Sequence, residues 1–513
     1  MTVHPAVRTV TVHPAARTVT LSTAMVAVAV VAFIAAALGI GVRATFGAHV
    51  AVDETQYVVS ALSLAEDGNL DISDELAQKR WRDFADVEPP VQTQVLGDGR
   101  QISPHDPLLP ALLAVPVALG GWVAAKLTLA ALAGLLAALT LWVAVRRLRL
   151  SLPLAATGVG IAAASAPLAV YGQQIYPELP AALVTMVGFA ALTGPLATAE
   201  DADGPGGKHR DRIRDVAVLA LAVAALPWLS IKYSAVAAAL ALLGVVRWWR
   251  SGHHREAAGL AAGLALAAGG YLVAHRLVWG GWTVYATGDH FQQSGEFGVV
   301  GFHPHYVGRA LRLVGLFVDR EYGIATWQPA WLLILPAVAA LIGATVAARR
   351  PLALLPLLLA GWLVATFVAV TMHGFWWPGR QLVVVLPLAL LLVLWWLQRS
   401  PPVMRRVAFG LGLAGVFSYT MLLVDGYQGE ITWVSGFQRV DDPVYSLIRH
   451  ALPDYRGDFW PLHIAWIVAF AALLVAGYGS ARSGAATAVA RGTTPSAPVI
   501  GHRALVSPKG SPR

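Results

Sequence analysis

Apolar residues in this chain come in blocks about twenty long, and polar residues collect between the blocks. A helix that crosses a bilayer needs about 20 mainly apolar residues, so each block reads as one candidate span. Twelve are predicted, at 22–42, 123–145, 152–170, 179–198, 215–230, 232–246, 257–278, 328–348, 351–371, 381–398, 407–424 and 461–479. The blocks 215–230 and 232–246 are short, with Pro227 between them, so a broken hairpin is expected there rather than two full crossings. The run 107–121 is also apolar, but it is only about 15 residues long and carries Pro107, Pro110 and Pro116. It reads as a short helix on the membrane surface, because counting it as a span would put Arg146, Arg147 and Arg149 outside. The expected fold is all-α: a polytopic membrane protein with about 12 transmembrane helices and a long first external loop carrying interfacial helices.

Composition supports this. Of the 513 residues, 57% are hydrophobic and 13% charged, with a mean hydropathy of +0.61. A water-facing surface needs more charge than that, so a soluble globular protein is excluded. The chain has 0 cysteines, which removes disulfide scaffolds, thiolate metal sites and cysteine nucleophiles. Lys and Arg number 37 against 29 Asp and Glu, a net charge of +8. The basic surplus sits in loops that alternate with the spans: Arg146/Arg147/Arg149, Lys208 to Arg214, Arg247/Arg250/Arg255, Arg349/Arg350 and Arg399/Arg405/Arg406. That is a topological signal, which places those loops and both termini in the cytoplasm and argues against nucleic acid as a partner.

Residues 1–21 then form a cytoplasmic tail, in which 2–10 recur almost unchanged at 11–19. Residues 22–479 form the membrane domain, and 480–513, rich in Gly, Ala, Ser, Thr and Pro, a disordered cytoplasmic tail. The inner loop 199–214 reads as polar and flexible. Three long segments, 43–122, 279–327 and 425–460, lie outside, with short outer turns at 171–178 and 373–380. They carry most of the acids, and charge beside a bilayer is costly unless used or paired, so the outer face is the expected working surface.

Asp53 and Glu54 come about ten residues after the first span, and residues 55–66 read as a short amphipathic helix with Val58, Val59, Leu62 and Ala65 on its apolar side. Carboxylates at a helix start also satisfy the helix dipole, so spacing alone leaves a structural cap and a catalytic role both open.

The acidic pair, the interfacial helix and the Pro-rich run SPHDPLLPALLAVPVALGGW at 103–122 together resemble the GT-C superfamily of membrane glycosyltransferases. So do IYPELPAAL at 175–183, LPWLSIKYS at 226–234, FVDREYGIATWQPAWLL at 317–333 and WWPGRQLVVVLPLALLL at 376–392. The similarity is ordered along roughly 50–400, is of a bacterial, actinobacterial type, and leaves the last two spans unmatched. It implies transfer of a sugar from a polyprenyl-phosphate donor to a hydroxyl on a glycan, lipid or protein, on the outer face of the cell membrane. In this family an acidic residue of the first external loop is the expected general base. Here that position falls on Asp53 or Glu54, with Asp53 favoured as the first of the pair.

Such a reaction leaves a lipid phosphate whose charge grows as the glycosidic bond breaks, and fixed cations must meet it. Arg380, Lys232 and Arg320 lie at predicted outer membrane ends and are the candidates. Each also has a plain reading, as a side chain snorkelling to headgroups or, for Arg320, as part of a local ion-pair cluster with Asp319 and Glu321. His105, Glu178, Tyr57, His373 and Trp377 complete the candidate substrate contacts, although Trp376 and Trp377 equally suit an interfacial aromatic belt. His303 and His305 with Asp289 are ligand types used by zinc or manganese, but the HPH spacing is not a metal signature, so no metal site is assigned. A divalent metal ion stays open as a cofactor. The sugar (mannose, arabinofuranose, galactose or another) is not readable.

Two other functions fit a polytopic chain: a transporter or flippase of lipid-linked substrates, and a non-catalytic GT-C-like protein that binds polyprenyl lipid. A transporter predicts internal repeats and ionisable residues at mid-membrane. Apart from Asp215, Lys232 and Arg276 at their ends, the spans hold one charge, Lys126, and no repeat between halves is visible.

Overall fold

The computed structural model describes residues 19–89, 92, 94–96, 98–194, 205–284, 306–344, 350–369, 371–457 and 460–490. Each of the twelve apolar runs corresponds to a helix or to helical segments in tandem among these residues. Among the described residues six helices are long and apolar enough to cross a membrane, and five more are apolar but shorter. The chain is an all-α, polytopic membrane protein; a two-stranded ribbon pairing Gln94–Val95 with Gln101–Ile102 sits in the first long loop.

The centre of the bundle is the helix Leu386–Arg399, in which every residue from Leu386 to Leu397 is buried. A helix apolar on all sides is stable only when other helices or lipid surround it. The opposite case is the pair at the periphery, His254–Val278 and Trp460–Arg482, where only 17% and 11% of the apolar window is buried within the protein. Leu21–Ala37 packs along Leu108–Arg146, and an added Cβ on Gly134 would come within 2.8 Å of the Ala29 carbonyl oxygen. Without a hydrophobic drive between helices in lipid, such small residues allow the close approach that holds spans together.

Leu108–Arg146 is not one straight rod. Its helical geometry breaks at Gly120–Gly121, where Gly121 takes φ +59°, a conformation that costs a side chain. The break separates the Pro-rich segment from the span that follows it, as the sequence suggests. The hairpin differs from expectation. Pro227 lies inside the last turn of Pro205–Leu229, and a single turn of 3-10 helix at Ile231–Tyr233 leads into Ser234–Arg250. Two full helices therefore form, because Pro227 falls close enough to the helix end that the bond it removes is nearly the last one. The loop expected at 199–214 is helical from Pro205, and the last helix continues to Ala490, past the expected tail boundary at 480. Alanine-rich and charged stretches favour helix once a neighbouring span nucleates it.

The two ends of the bundle differ in charge. At one end Arg247 donates to the carbonyls of Leu192 and Gly194, Arg212 pairs with Glu256 at 2.8 Å, and Arg405 donates to the Leu397 carbonyl at 2.9 Å. At the other end lie the first long loop, the Ile231–Tyr233 turn and the turn before Arg380.

Candidate active site

Helix Asp53–Glu66 opens the site. Its N-cap residue, Val52, adopts φ +56° and ψ −126°, an outlying conformation for a β-branched residue. Backbone strain of about 1–3 kcal/mol is retained only where surrounding structure enforces it. Residues 54–63 are buried, including Val58, Val59 and Leu62, whereas Ala65 is exposed. The helix is thus packed on more than one face, against Leu108–Arg146 and the loop around it, and the amphipathic reading was too shallow.

The adjacent acids point to different surroundings. Glu54 is 0% exposed and accepts hydrogen bonds from the backbone N–H of Ile175 at 2.7 Å and of Ala51 at 3.3 Å. Burial raises its pKa, opposed by the charge of Lys126. Lys126 is itself buried and donates to the His49 carbonyl at 2.9 Å and the Gln173 side chain at 3.2 Å. Glu54 therefore braces the backbone of two loops. Asp53 instead carries one oxygen 2.9 Å from Nη2 of Arg380 and 3.9 Å from Nε2 of His105, and its other oxygen accepts from Gln92 at 3.3 Å. Burial would raise the Asp53 carboxyl, but the Arg380 guanidinium and His105 outweigh it and hold it well below the ordinary carboxylate value.

Arg380 sits in the short turn that follows Gly379, whose φ of +82° only glycine adopts freely. Its Nε donates to Oε1 of Glu178 at 2.8 Å, and Lys232 Nζ reaches the same oxygen at 2.5 Å. The guanidinium also lies over the Tyr176 ring, 4.1 Å from its centroid, and 5.4 Å from that of Trp376. Asp53, Arg380, Glu178 and Lys232 thus form one chain of alternating charge drawn from four separate segments. Its members are desolvated but reachable: the Asp53 and Lys232 side chains keep 15% and 19% of their exposure. Two buried polar atoms here, Oε2 of Glu178 and the Tyr176 hydroxyl, find no hydrogen-bond partner among the described residues.

The surrounding contacts hold this chain in place. His105 takes a hydrogen bond between its Nδ1 and Ser103 Oγ at 2.9 Å and meets the Tyr57 ring edge-on at 4.7 Å. Its neighbour Asp106 accepts from the backbone N–H of Ile231, beside Lys232, at 2.9 Å, and from the Tyr271 hydroxyl at 2.8 Å. His275 Nε2 lies 3.0 Å from the same carboxylate. One buried acid therefore ties the segment carrying His105 to the turn carrying Lys232.

Three of the sequence candidates lie elsewhere. Arg320 donates to the carbonyls of Arg449 and Leu452, so it clamps the 449–453 segment, while Asp319 pairs with His373 at 3.1 Å and Glu321 with Arg456 at 2.8 Å. These contacts form a second polar cluster that does not include Asp53. Trp377 is 0% exposed and packs among Trp327, Trp433 and Phe437; Trp376 is the indole beside Arg380. His290, His303, His305 and Asp289 lie outside the described residues. Gln92, Tyr176, Asp106 and Lys126 were not among the sequence candidates, and only the isolated charge of Lys126 within a span signalled its use.

An apolar cavity of about 320 Å³ lies between Leu152–Ala163, Leu386–Arg399 and Pro402–Gln428. Gln328 lines one part of it and donates to Ser165 Oγ at 2.8 Å; Arg405 lines another. The cavity does not include Asp53 or Lys232.

No protein-family model and no curated protein sequence matches the chain. Among solved structures, it is similar to ArnT from Cupriavidus metallidurans bound to undecaprenyl phosphate, at 15% identity and a TM-score of 0.51, over 91% of this chain and 78% of that one. The apo structure of ArnT aligns over the same shares at 17% identity with a TM-score of 0.42. At this identity the likeness to the undecaprenyl-phosphate-bound structure concerns the fold alone: this chain is a polytopic, all-α membrane protein with an ArnT-like fold.

Proposed function

We propose that this protein is an integral membrane glycosyltransferase that moves a sugar from a polyprenyl-phosphate donor to an acceptor hydroxyl, with Asp53 as general base. The observation that carries this reading is the alternation of Asp53, Arg380, Glu178 and Lys232 at one end of the bundle. It offers a carboxylate for the acceptor and two cations for a phosphate within one connected group. The ArnT neighbour, bound to undecaprenyl phosphate, supports the class of lipid.

The chemistry balances without a further reactant. The acceptor oxygen attacks the anomeric carbon, its proton passes to Asp53, and the bond from that carbon to the phosphate oxygen breaks with its electron pair leaving on the phosphate. A positioned base contributes typically about 10²–10⁴-fold to such a step. Arg380 and Lys232 meet the growing phosphate charge, where preorganised donors act most strongly.

An ion-paired Asp53 is a weak base, and this gives the site an order of events. When the donor phosphate engages Arg380, the guanidinium shares its charge with the phosphate. The Asp53 carboxylate loses part of its stabilisation, its pKa rises, and it becomes a better proton acceptor with donor in place. Glu178 keeps the two cations together throughout.

The reaction runs on the outer face, with both termini cytoplasmic; the gathering of basic loops at the opposite end of the bundle supports that orientation. The isoprenoid chain occupies the apolar cavity beside Gln328 or the lipid-facing surface around it. Sugar transfer from a polyprenyl-phosphate donor in membranes tests the assignment. Asp53→Asn is expected to abolish turnover while retaining donor binding. Undiminished turnover in a correctly folded Asp53→Asn protein rejects Asp53 as base, and donor binding by a wild type that shows no transferase activity favours the non-catalytic lipid-binding reading.

A further inference from the structure

The far end of helix Asp53–Glu66 carries a feature that the proposed transfer reaction does not use. Asp67 caps the helix, and Asp74 and Glu75 lie in the short helix Ser73–Ala77 that follows. A carboxylate oxygen from each of the three lies within 4.8 Å of the others. Asp67 and Asp74 are exposed, but Glu75 is 1% exposed, and among the described residues no N–H or hydroxyl group donates to its carboxylate, which lies beside that of Asp74. An ionised carboxylate left buried without a donor is costly, and here two further carboxylates face it. Arg80, a basic side chain on this loop, is held by Glu66 through two bonds of 2.8 Å. Asp67 also stands at the negative end of the helix dipole, where a cation is favoured and where the last turn has no basic residue.

The loop between them is fixed by its own contacts. Asn69 accepts from the Asp71 N–H at 2.7 Å, and Asp71 accepts from the Gln101 N–H at 2.9 Å, so the three carboxylates are held by a braced turn. Helix Asp53–Glu66 has 14 residues, so this group lies about 20 Å along the helix from Asp53.

We propose that Asp67, Asp74 and Glu75 form a binding site for a hard divalent cation of the calcium class. Three oxygen ligands and no nitrogen or sulfur suit Ca²⁺, which accepts six to eight oxygens in flexible geometry and completes its shell with carbonyls or water. Its role is structural: it locks the end of the helix that presents Asp53, without touching the reacting atoms.

The test is equilibrium binding of radioactive Ca²⁺ to the chelator-treated, full-length protein in detergent, with thermal unfolding followed in parallel. The wild type is expected to bind one Ca²⁺ saturably and to unfold a few degrees higher with Ca²⁺ than with chelator. Glu75→Gln should weaken binding at least tenfold. The exposed pair Asp67→Asn with Asp74→Asn, which leaves the buried position intact, should remove both the binding and the thermal shift. Wild-type binding no greater than that of the Asp67→Asn/Asp74→Asn protein overturns the proposal, and would mean that Glu75 is instead protonated and shares its proton with Asp74. Sugar transfer is not the readout, so the outcome is independent of the reaction proposed above.

Discussion

Nη2 of Arg380 lies 2.9 Å from Oδ2 of Asp53, joining the first long loop to the turn that precedes the central helix. The same guanidinium uses Nε to hold Glu178, so one side chain couples two acids that the sequence keeps far apart.

That contact fixes the expected pH dependence. Asp53 is held well below the ordinary carboxylate value, so kcat/KM should stay flat as pH falls to about 4, the usual carboxylate range, and decline only below it. Arg380→Gln should shift this acid limb upward as well as lowering the rate. For stability the sign follows from a depressed folded-state pKa: the contribution is complete above the unfolded value near 4 and is lost as pH falls from there through the folded value. An acid limb that does not move in Arg380→Gln would contradict the coupling.

Glu178→Gln should be more damaging to the protein than to any single contact. It leaves Lys232 and Arg380 close together with one fewer counter-charge, and breaking a buried pair by removing one partner costs about 3–5 kcal/mol. Thermal unfolding in detergent should drop markedly. A Glu178→Gln protein as stable as wild type would mean that the cations are compensated elsewhere.

Lys126→Met should destabilise in the same way, because it strips the nearest positive charge from buried Glu54. Glu54→Gln added to Lys126→Met should recover part of the loss, since the orphaned charge is then removed as well. Additive losses in the double variant would show that the two residues do not interact.

Asp106→Asn probes the positioning of the site. Its carboxylate holds the Ile231 N–H beside Lys232 and faces His275 and Tyr271. Loosening that turn should raise KM for the lipid donor by about tenfold, the equivalent of one hydrogen bond to a charged group, with a smaller change in kcat. An equal fall in kcat with KM unchanged would place Asp106 in the chemistry instead.

Thr157→Trp places a bulky ring in the apolar cavity from an exposed position on Leu152–Ala163. If the isoprenoid chain uses that cavity, affinity for a long-chain donor should fall while a short-chain analogue is spared. Equal effects on both donors would remove the cavity from the route of the chain.

The apolar blocks determined the membrane-spanning class and where the helices lie along the chain, because bilayer thickness acts on local stretches of sequence. Asp53, Glu178, Lys232 and Arg380 were visible one by one as charges beside apolar runs. Tertiary structure alone decided that they meet, that Glu54 turns inward to Ile175 while its neighbour faces Arg380, and that Arg320 and His373 belong to another cluster. The reason is that charge pairing within a few ångströms depends on how distant helices pack. Successive residues of a helix are rotated by about 100°, and sequence spacing cannot say which of them meets a partner contributed from another part of the chain.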